Sequence, residues 1–374
     1  IIHLSKKSLL LWQARQEDSL VSKKTFSVFG GTNREHLISA LVPVISIILA
    51  LVIGAIIIAC LGKNPIKGYA LLFSGSVGSK SRIAQTLMSA CPLIFTSLCA
   101  AFAYKCGVFN LGGEGQFVMG ATCAIMTVLG FHLEGIVAIV VALLVGILVG
   151  GIWGLLPGIM KITRGLNEMI TSIMLNYVAV LFMSWVYTGP FRGGDNPETL
   201  PIPDSAQLPR IAKFHVGVIL AILLAFFLWY VIFKTSFGFK IRAVGINPIA
   251  SRVNGFSVGK LMVLSFIISG AIAGLGGSVE ILGKQYRLLA GFGTGVGFDG
   301  VAIALIAQLN PIGSMVVALF FGMLTTGATS MQVGIMVPTA ITEIIRALII
   351  IFAVSGIAML KLPKIKAVLL PAIT

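Results

Sequence analysis

Long apolar stretches, each near the length that a helix needs to cross a lipid bilayer, recur between residues 38 and 356 of this 374-residue chain. A helix needs about 20 apolar residues to cross the hydrocarbon core. In this chain 57% of the residues are apolar and 10% are charged, whereas soluble domains have about 25% charged residues. A soluble core of this size cannot hide so much apolar surface. We therefore predict an all-α, polytopic membrane protein.

Ten segments qualify as candidate transmembrane helices: residues 38–61, 83–103, 116–131, 135–156, 168–187, 216–233, 261–282, 299–309, 313–329 and 338–356. The eighth is too short to cross the membrane alone. It overlaps the end of the run GFGTGVGFDG, residues 291–300, so we predict a glycine-broken half-helix whose backbone is sheltered by protein or lines a cavity.

Lysine and arginine are unequally distributed between the segments that join these spans. With the N-terminus inside, the inner segments carry 17 of them and the outer segments carry 9. Because cytoplasmic loops are enriched in both residues, we predict that both termini are cytoplasmic. The two longest hydrophilic connections are then an ordered outer loop at 188–215 and an inner loop at 234–260, which has five basic residues and no acidic one.

This topology divides the chain into a cytoplasmic tail (1–37), a transmembrane domain (38–356) that includes the inner loop 234–260, and a basic cytoplasmic tail (357–374). The chain begins with Ile1, and a GTG-encoded start at Val21 would leave the first 20 residues outside the native protein. N-terminal mass spectrometry tests that hypothesis. The first span is too long to be a signal-peptide core and is expected to stay in the mature chain.

Several function classes are disfavoured by what the sequence contains. The net charge of +15 is spread between apolar spans and not gathered in one patch, so we expect no nucleic-acid partner. The motifs GxxxxGK[ST], HExxH and GxSxG are absent, so we expect no catalytic residues and no nucleotide held by a P-loop. The five cysteines and four histidines are scattered, so we expect neither a metal site nor a cofactor.

Charged side chains within spans are costly and mark either paths or pairs. Glu343 and Arg346 lie three residues apart on one predicted helix, so we expect them to form a structural ion pair. Glu168 follows Asn167 at the start of a span, where a carboxylate stabilises a helix N-terminus. Capping and ligand contact are both open for Glu168.

Glycines recur every four residues on two of the predicted spans, and small residues at this spacing let helix backbones approach closely. We interpret them as packing sites: Gly146, Gly150, Gly154 and Gly158 in the fourth span, with Gly270 and Gly274 in the seventh.

The segment FNLGGEGQFVMGA, residues 109–121, combines helix-breaking glycines with three polar side chains at a membrane boundary: Asn110, Glu114 and Gln116. A turn explains the glycines but not so much hydrogen-bonding capacity beside apolar spans. A role in a permeation path and a role in a simple turn both remain open here.

Four motifs in this order resemble those of ABC importer permeases: FNLGGEGQFVMGA, LNEMITSIMLNYVA (166–179), GFKIRAVGINPIASRVNGF (238–256) and GFDGVAIALIAQLNPIG (297–313). They look like the branched-chain amino acid and simple sugar permease superfamily, and most closely its nucleoside-uptake branch. The resemblance covers about residues 38–356.

The resemblance implies a multi-pass permease subunit of a bacterial plasma membrane, without an ATPase of its own. Such a subunit works with a second, related permease, cytoplasmic ABC ATPases and an external substrate-binding lipoprotein. The part that resembles the family's ATPase-coupling region lies on the side that the charge count places inside: Gly238, Ile241, Arg242, Ala243, Val244, Gly245, Asn247 and Pro248.

We expect this coupling segment to be a short helix across the inner face. Ile241 and Val244 lie three apart and are expected to point together into an apolar groove, while Arg242 reaches a carboxylate or carbonyls on the ATPase. Gly245 is expected to end the helix in the left-handed conformation, and Pro248 prevents its continuation. An ordinary basic loop is the alternative.

The function best supported by the sequence is a permease subunit that translocates nucleosides in an ATP-driven importer. The alternatives are the same role for a simple sugar such as ribose or for branched-chain amino acids, an ion-coupled secondary transporter, and, disfavoured, a membrane enzyme. Polar ligands need hydrogen-bonding groups along a mostly apolar passage, and a base can stack on an aromatic ring. We predict a substrate pathway formed by Asn110, Glu114, Gln116, Asn176, Phe298 and Asp299.

Overall fold

A computed structural model of the chain describes residues 33–211 and 213–359, with side chains for 45–211 and 213–356. The described chain is almost entirely helical, which confirms the all-α prediction. Its α-helices are α1 Asn33–Cys60, α2 Pro65–Val77, α3 Lys80–Lys105, α4 Gly113–Gly130, α5 Gly135–Arg164, α6 Glu168–Thr188, α7 Gly217–Lys234, α8 Ser236–Ile246, α9 Pro248–Val253, α10 Val258–Glu280, α11 Val296–Ile306, α12 Pro311–Ile335 and α13 Thr339–Met359.

Each of the ten predicted spans coincides with one of these helices, and α2, α8 and α9 are additional. Among the described residues, seven helices are long and apolar enough to cross a membrane, or eight if α1 and α2, bent by 119° at their break, form one broken span. Helix α11 has only 11 residues, as the length of its apolar stretch indicates. The chain is therefore a polytopic membrane protein, whereas the count of ten spans and the cytoplasmic termini stay predictions. The predicted start at Val21 and most of both tails lie outside the described residues.

Local sequence signals explain where several helices begin and end. The side-chain oxygen of Asn64 accepts hydrogen bonds from the backbone N–H groups of Ile66 and Lys67 at 2.9 and 3.2 Å, which caps α2. Asn310 caps α12 in the same way, with Pro311 in its first turn. Gly165 ends α5 in the left-handed conformation, at φ +66°. The ends of these helices are thus determined by Asn, Pro and Gly residues that can be recognised in the sequence.

Helix α3 forms the centre of the bundle. Every residue from Ala90 to Tyr104 is buried, and α3 packs against α2, α7, α10, α11 and α12. In the apolar stretch of α3, 83% of the residues are buried inside the bundle, compared with 22% in α13 and 28% in α6. A helix covered on all sides supports its neighbours, whereas partly covered helices present apolar faces to lipid or to other subunits.

The predicted glycine packing is confirmed between α5 and α10. A Cβ atom at Gly150 would lie 2.4 Å from the carbonyl oxygen of Gly270, and one at Gly274 would lie 2.2 Å from that of Gly146. Gly274 is also enclosed from the side of α4, because a Cβ at Gly120 would lie 2.4 Å from its Cα. These three helices therefore meet at backbone-to-backbone distance.

The described residues of the long connection between α6 and α7 include short regular elements. It contains the short antiparallel pair β1 Arg210–Ile211 and β2 Phe214–His215, and its backbone bonds to the segment after α10. The carbonyl oxygen of Leu288 accepts a hydrogen bond from the N–H of Thr199 at 3.1 Å, and Arg287 pairs with Glu198 at 2.8 Å. This loop thus packs against residues 282–289, which lead to the glycine-rich run before α11.

Candidate functional site

A closed network of amide side chains lies at the start of α4. The Asn110 side-chain nitrogen donates to the Gln116 side-chain oxygen at 3.0 Å and to the Ser269 hydroxyl at 2.8 Å. In return, the Gln116 nitrogen donates to the Asn110 oxygen at 3.2 Å, and the N–H of Gly112 donates to the same oxygen at 2.9 Å. Both amides are fully buried. Their hydrogen-bonding capacity is spent inside the protein.

Asn176 of α6 holds the same broken backbone from the other side. Its side-chain oxygen accepts from the N–H of Gly115 at 2.8 Å, and its nitrogen donates to the carbonyl of Leu111 at 2.9 Å. Irregular backbone at membrane depth must be satisfied by such partners. We call Asn110, Gln116 and Asn176 the amide network. Its geometry is that of a scaffold, and its predicted role in the substrate pathway stays untested.

The two glycine-broken segments of the sequence meet at the next residues. The Glu114 carboxylate faces the backbone N–H groups of Gly295, Gly297 and Phe298 at the N-terminus of α11. A Cβ at Gly297 would lie 2.4 Å from the backbone nitrogen of Glu114, so only glycine permits this contact. A carboxylate at a helix N-terminus is electrostatically favourable. Glu114 therefore joins the half-helix α11 to α4, while its Oε2 atom has no hydrogen-bond partner among the described residues.

Asp299 of α11 pairs with Arg346 of α13, not with a backbone group. The expected pair between Glu343 and Arg346 is wrong: Glu343 is exposed, while Arg346 turns inward and lies 5.5 Å from the centre of the Phe321 ring. The physical reason is desolvation. A carboxylate held inside the bundle on α11 needs a counter-charge more than an exposed one on the same helix as the arginine.

A polar cavity of about 290 Å³ opens beside this ion pair, and we call it the central cavity. Two carboxylates and two cations line it, because Glu280 at the end of α10 lies 3.4 Å from Lys284, and Asp299 pairs with Arg346. The rest of its wall comes from α3, α4, α12 and the segment from the end of α10 to the start of α11: Ser89, Pro92, Leu93, Phe117, Gln285, Gly291, Phe292, Gly293, Thr294, Val296 and Thr325.

Two further cavities continue the central cavity along α3, and together we call them the vestibule. The nearer one, about 430 Å³, shares Ser89, Lys284 and Thr325 with the central cavity. The farther one, about 340 Å³, shares Arg82 and Thr329 with the nearer one. The three cavities therefore share lining residues in series, from Arg82 in the first turn of α3 to the cavity that Asp299 lines.

The structure divides the residues predicted for the substrate pathway. Asp299 lines the central cavity, whereas Phe298, its neighbour on α11, is 46% exposed and does not line it. Glu280 was visible in the sequence as a charge within a span, with Lys284 one turn later, but nothing there assigned it a role. Phe117 and Phe292 carried no sequence signal beyond aromatic character.

The predicted coupling segment is helical, with corrected details. Helix α8 continues through Gly245 to Ile246, and Gly245 is not left-handed; Asn247 ends α8 and caps α9, which Pro248 begins. Close packing explains why residue 245 is a glycine although no helix ends there. A Cβ at Gly245 would lie 2.2 Å from the carbonyl oxygen of Lys105 at the end of α3.

The apolar side of α8 also differs from expectation. Ile241 and Val244 point together, as predicted, but into their own bundle, where they pack with Tyr104, Val108 and Phe266. Arg242 lies 5.4 Å from the centre of the Phe233 ring. A groove of about 800 Å³ lies on the side of α8 and α9 that is turned away from the helix bundle. It is lined by Phe239, Arg242, Ala243, Ile246, Asn247, Ala250, Ser251, Asn254 and Phe256.

Comparison with known proteins accords with this architecture. Residues 82–354 match the family described as the permease component of branched-chain amino acid transport systems. The chain belongs to this family. It is 36% identical over 327 residues to the guanosine ABC transporter permease protein NupP of Bacillus subtilis, which covers 85% of this chain and 94% of that protein. The resemblance drawn from the four motifs is therefore confirmed.

Two other relatives differ in the substrate that their names state. The nucleoside ABC transporter permease protein NupB of Lactococcus lactis is 35% identical over 343 residues, 88% of this chain and 94% of NupB. The glucose ABC transporter permease protein TsgB13 of Haloferax volcanii is 31% identical over 329 residues, 84% of this chain and 87% of TsgB13. No solved structure is significantly similar to the chain.

Proposed function

We propose that this chain is a permease subunit of an ATP-driven importer that moves nucleosides across a bacterial plasma membrane. The observation that carries the proposal is the vestibule ending in a charge-balanced cavity with an aromatic wall. Such a path suits an uncharged polar ligand with a flat ring. The names of NupP and NupB support nucleosides as that ligand.

The proposed orientation has both termini in the cytoplasm. Arg82, at the mouth of the vestibule, then faces outward, where an external binding lipoprotein delivers the ligand. Helices α8 and α9 then face the cytoplasm, where a separate ABC ATPase acts. The bias of 17 inner to 9 outer basic residues supports this orientation. A single-cysteine probe at Asp195 should react with an impermeant reagent from outside, and one at Asn247 should not.

The ATPase is proposed to dock in the groove that residues of α8 and α9 line. Gly238 and Gly245 hold α8 against α7 and α3, because a Cβ at Gly238 would lie 2.1 Å from the carbonyl oxygen of Val231. A push on this groove therefore reaches the end of α3, and through the 106–112 segment the start of α4. A second, homologous permease completes the membrane part of the importer, as the family resemblance implies.

A simple sugar is the second candidate ligand. Carboxylates that line a cavity can accept hydrogen bonds from any set of hydroxyl groups, and TsgB13 is named as a glucose permease. An ion-coupled secondary transporter is less well supported, because Arg346 already neutralises the Asp299 carboxylate and the relatives are named as ABC permeases.

Uptake by the complete importer in proteoliposomes tests the proposal. We expect ATP-dependent accumulation of radiolabelled guanosine or uridine that persists when ionophores collapse ion gradients, and little accumulation of ribose or leucine. Ribose uptake without nucleoside uptake would assign the chain to the sugar role. Uptake that requires an ion gradient and ignores ATP would overturn the proposal.

Docking on the groove is tested by charge at its exposed apolar rim. Ile246→Asp, at a position that is 61% exposed, should abolish ATPase co-purification and ATP-driven uptake without affecting membrane insertion. Leu166→Asp, at an exposed position in the turn between α5 and α6, is the matched control and should bind the ATPase normally. Arg242→Glu, in the wall of the groove, should resemble Ile246→Asp. Normal ATPase binding by both groove variants would reject the docking site.

A further inference from the structure

The central cavity combines an unpaired carboxylate oxygen, balanced charges and an aromatic pair. We propose that it is a ligand-binding site inside the permease, in which Glu280 binds the hydroxyl groups of a nucleoside and Phe292 packs against its base. The inference rests on the proposed function, and it adds that the permease itself selects the ligand instead of only letting it pass.

The first support is a buried carboxylate oxygen that lacks a donor. Glu280 is 5% exposed, and its Oε2 atom has no hydrogen-bond partner within the described part of the chain, while Lys284 lies 3.4 Å from Oε1. A buried polar atom left unpaired costs about 1–3 kcal/mol, and more when it is charged. Adjacent hydroxyl groups of a pentose are donors of the kind that would satisfy this oxygen.

The second support is the charge balance of the cavity. Glu280 and Asp299 face Lys284 and Arg346, so the four side chains carry no net charge when all are ionised. A ligand with a net charge would have to displace part of this balance in a region of low dielectric, which is costly. The cavity therefore favours a nucleoside over its phosphorylated form.

The third support is the aromatic wall. Phe292 and Phe117 stack with ring centres 5.6 Å apart and an angle of 19° between their planes, and both line the cavity. Phe117 is almost completely covered, at 1% exposed, whereas Phe292 is 7% exposed. The pair thus forms an apolar part of the wall of the same cavity. A flat heterocycle gains both burial and ring contact there.

The volume and the access route fit the same ligand class. About 290 Å³ lies just below the range of small-molecule sites, about 300–1,000 Å³, so the cavity takes one small ligand and not a chain of them. Ser89 and Thr325 belong to both the cavity and the vestibule, so a ligand arriving past Arg82 meets the cavity directly.

Cysteine labelling of the assembled importer tests this site without requiring transport. In a background with Cys60→Ser and Cys123→Ser, a Ser89→Cys reporter in the cavity and a Thr329→Cys reporter in the vestibule are labelled from outside with a methanethiosulfonate reagent. We expect guanosine and uridine to slow labelling at position 89 at least fivefold and at position 329 less than twofold. Guanosine monophosphate and leucine should slow neither.

Two substitutions then assign the contacts. Glu280→Gln and Phe292→Ala should each raise the nucleoside concentration for half-protection of the Ser89→Cys reporter at least tenfold. Glu134→Gln, at an exposed position just before α5 and outside the cavity lining, is the matched carboxylate control and should leave that concentration unchanged. The labelling rate without ligand verifies that each variant keeps its cavity, so misfolding is recognised separately.

The outcomes separate this inference from the proposed function. Wild-type uptake of nucleosides with no protection of the Ser89→Cys reporter would overturn the binding site and leave the function standing. Protection that neither Glu280→Gln nor Phe292→Ala weakens would overturn the assigned contacts. Absence of nucleoside uptake, with protection by ribose alone, would overturn both the nucleoside function and the role of Phe292.

Discussion

The amide network and the central cavity lie on either side of one short stretch of α4, yet they treat polar atoms in opposite ways. Gln116 enters the network, and Phe117, the next residue, lines the cavity. In the network the side-chain nitrogen and oxygen atoms of Asn110, Gln116 and Asn176 all have partners. In the cavity Glu280 Oε2 and Arg346 Nε have none among the described residues.

This difference separates scaffold from site better than residue type does. A fully satisfied polar group inside a membrane protein is already at its best energy and gains little from a ligand. An unsatisfied one, buried at a cost, gains much from any donor or acceptor that arrives. We therefore expect substitutions in the network to reduce the amount of folded protein, and substitutions in the cavity to reduce transport.

The largest expected effect is in the network. Asn110→Ala removes the partner of Gln116 and of the Gly112 N–H, and each buried group left unpaired costs about 1–3 kcal/mol. We expect most of the folded, membrane-inserted permease to be lost, as measured by yield and monodispersity after extraction. Asn64→Ala, which removes an exposed helix cap, is the matched control and should cost much less.

The same reasoning revises what Gln116→Ala should do. A pathway role alone predicts that this variant assembles normally and transports poorly. The network predicts a loss of folded protein instead, because Asn110 would lose a donor and an acceptor. Normal yield with impaired transport would return Gln116 to the pathway and break the distinction between the two regions.

The next largest effect is in the cavity. Asp299→Asn keeps the shape of the side chain but leaves Arg346 without its counter-charge, so the cavity gains a positive charge. We expect normal assembly and at least a tenfold loss of ATP-driven nucleoside uptake in proteoliposomes. Glu343→Gln, an exposed position on α13, is the control and should transport normally. The opposite ranking would support the rejected pair of Glu343 with Arg346.

An intermediate effect is expected when the ion pair is reversed. Asp299→Arg and Arg346→Asp singly place two like charges within α11 and α13, and each should prevent uptake. The double variant restores opposite charges, so it should recover part of the uptake, measured in the same vesicles. No recovery would mean that the position of each charge, and not their balance, determines transport.

The sequence alone was a good guide wherever one rule acts along a single helix. Apolar length located ten of the helices, and the four-residue spacing of Gly150 and its neighbours identified them as packing sites. It was a poor guide to contacts between residues on different helices. Asp299 and Arg346 are 47 residues apart, and nothing local indicates that they meet.

The same limit applies to the amide network and to the coupling segment. The sequence singled out Asn110 and Gln116 as polar groups at a membrane boundary, but the hydrogen bond from Asn110 to Ser269 of α10 could not be read from spacing. Gly245 was assigned to a helix end because glycine often occurs there. The close approach of the Lys105 carbonyl is an equally strong reason for glycine, and only the fold reveals it.

The smallest expected effect concerns a third buried polar group, His215, outside the membrane spans. Its two ring nitrogens have no partner within the described residues. Burial, followed by the positive charges of Lys284 and Arg210, lowers the pKa of His215 from 6.5 to about 4. The ring is therefore an unsatisfied group like Glu280, but it lies outside the central cavity, so we expect it to affect stability and not ligand binding.

The lowered pKa of His215 fixes the direction of its pH dependence. Above pH 6.5 the ring is neutral in both the folded and the unfolded protein, and it contributes no dependence on pH. Between pH 6.5 and about 4 the unfolded protein takes up a proton that the folded protein refuses, so the free energy of unfolding falls as the pH falls. At pH 5.5 this loss of stability amounts to about 1 kcal/mol.

His215→Leu should therefore show a smaller drop in melting temperature between pH 7.5 and 5.5 than the wild type, with unchanged nucleoside protection of the Ser89→Cys reporter. His132→Asn, at an exposed histidine, should melt like the wild type at both pH values. If His215→Leu instead abolished protection, an unsatisfied atom outside the cavity would also serve the ligand, and the boundary drawn here between site and scaffold would have to include the outer loop.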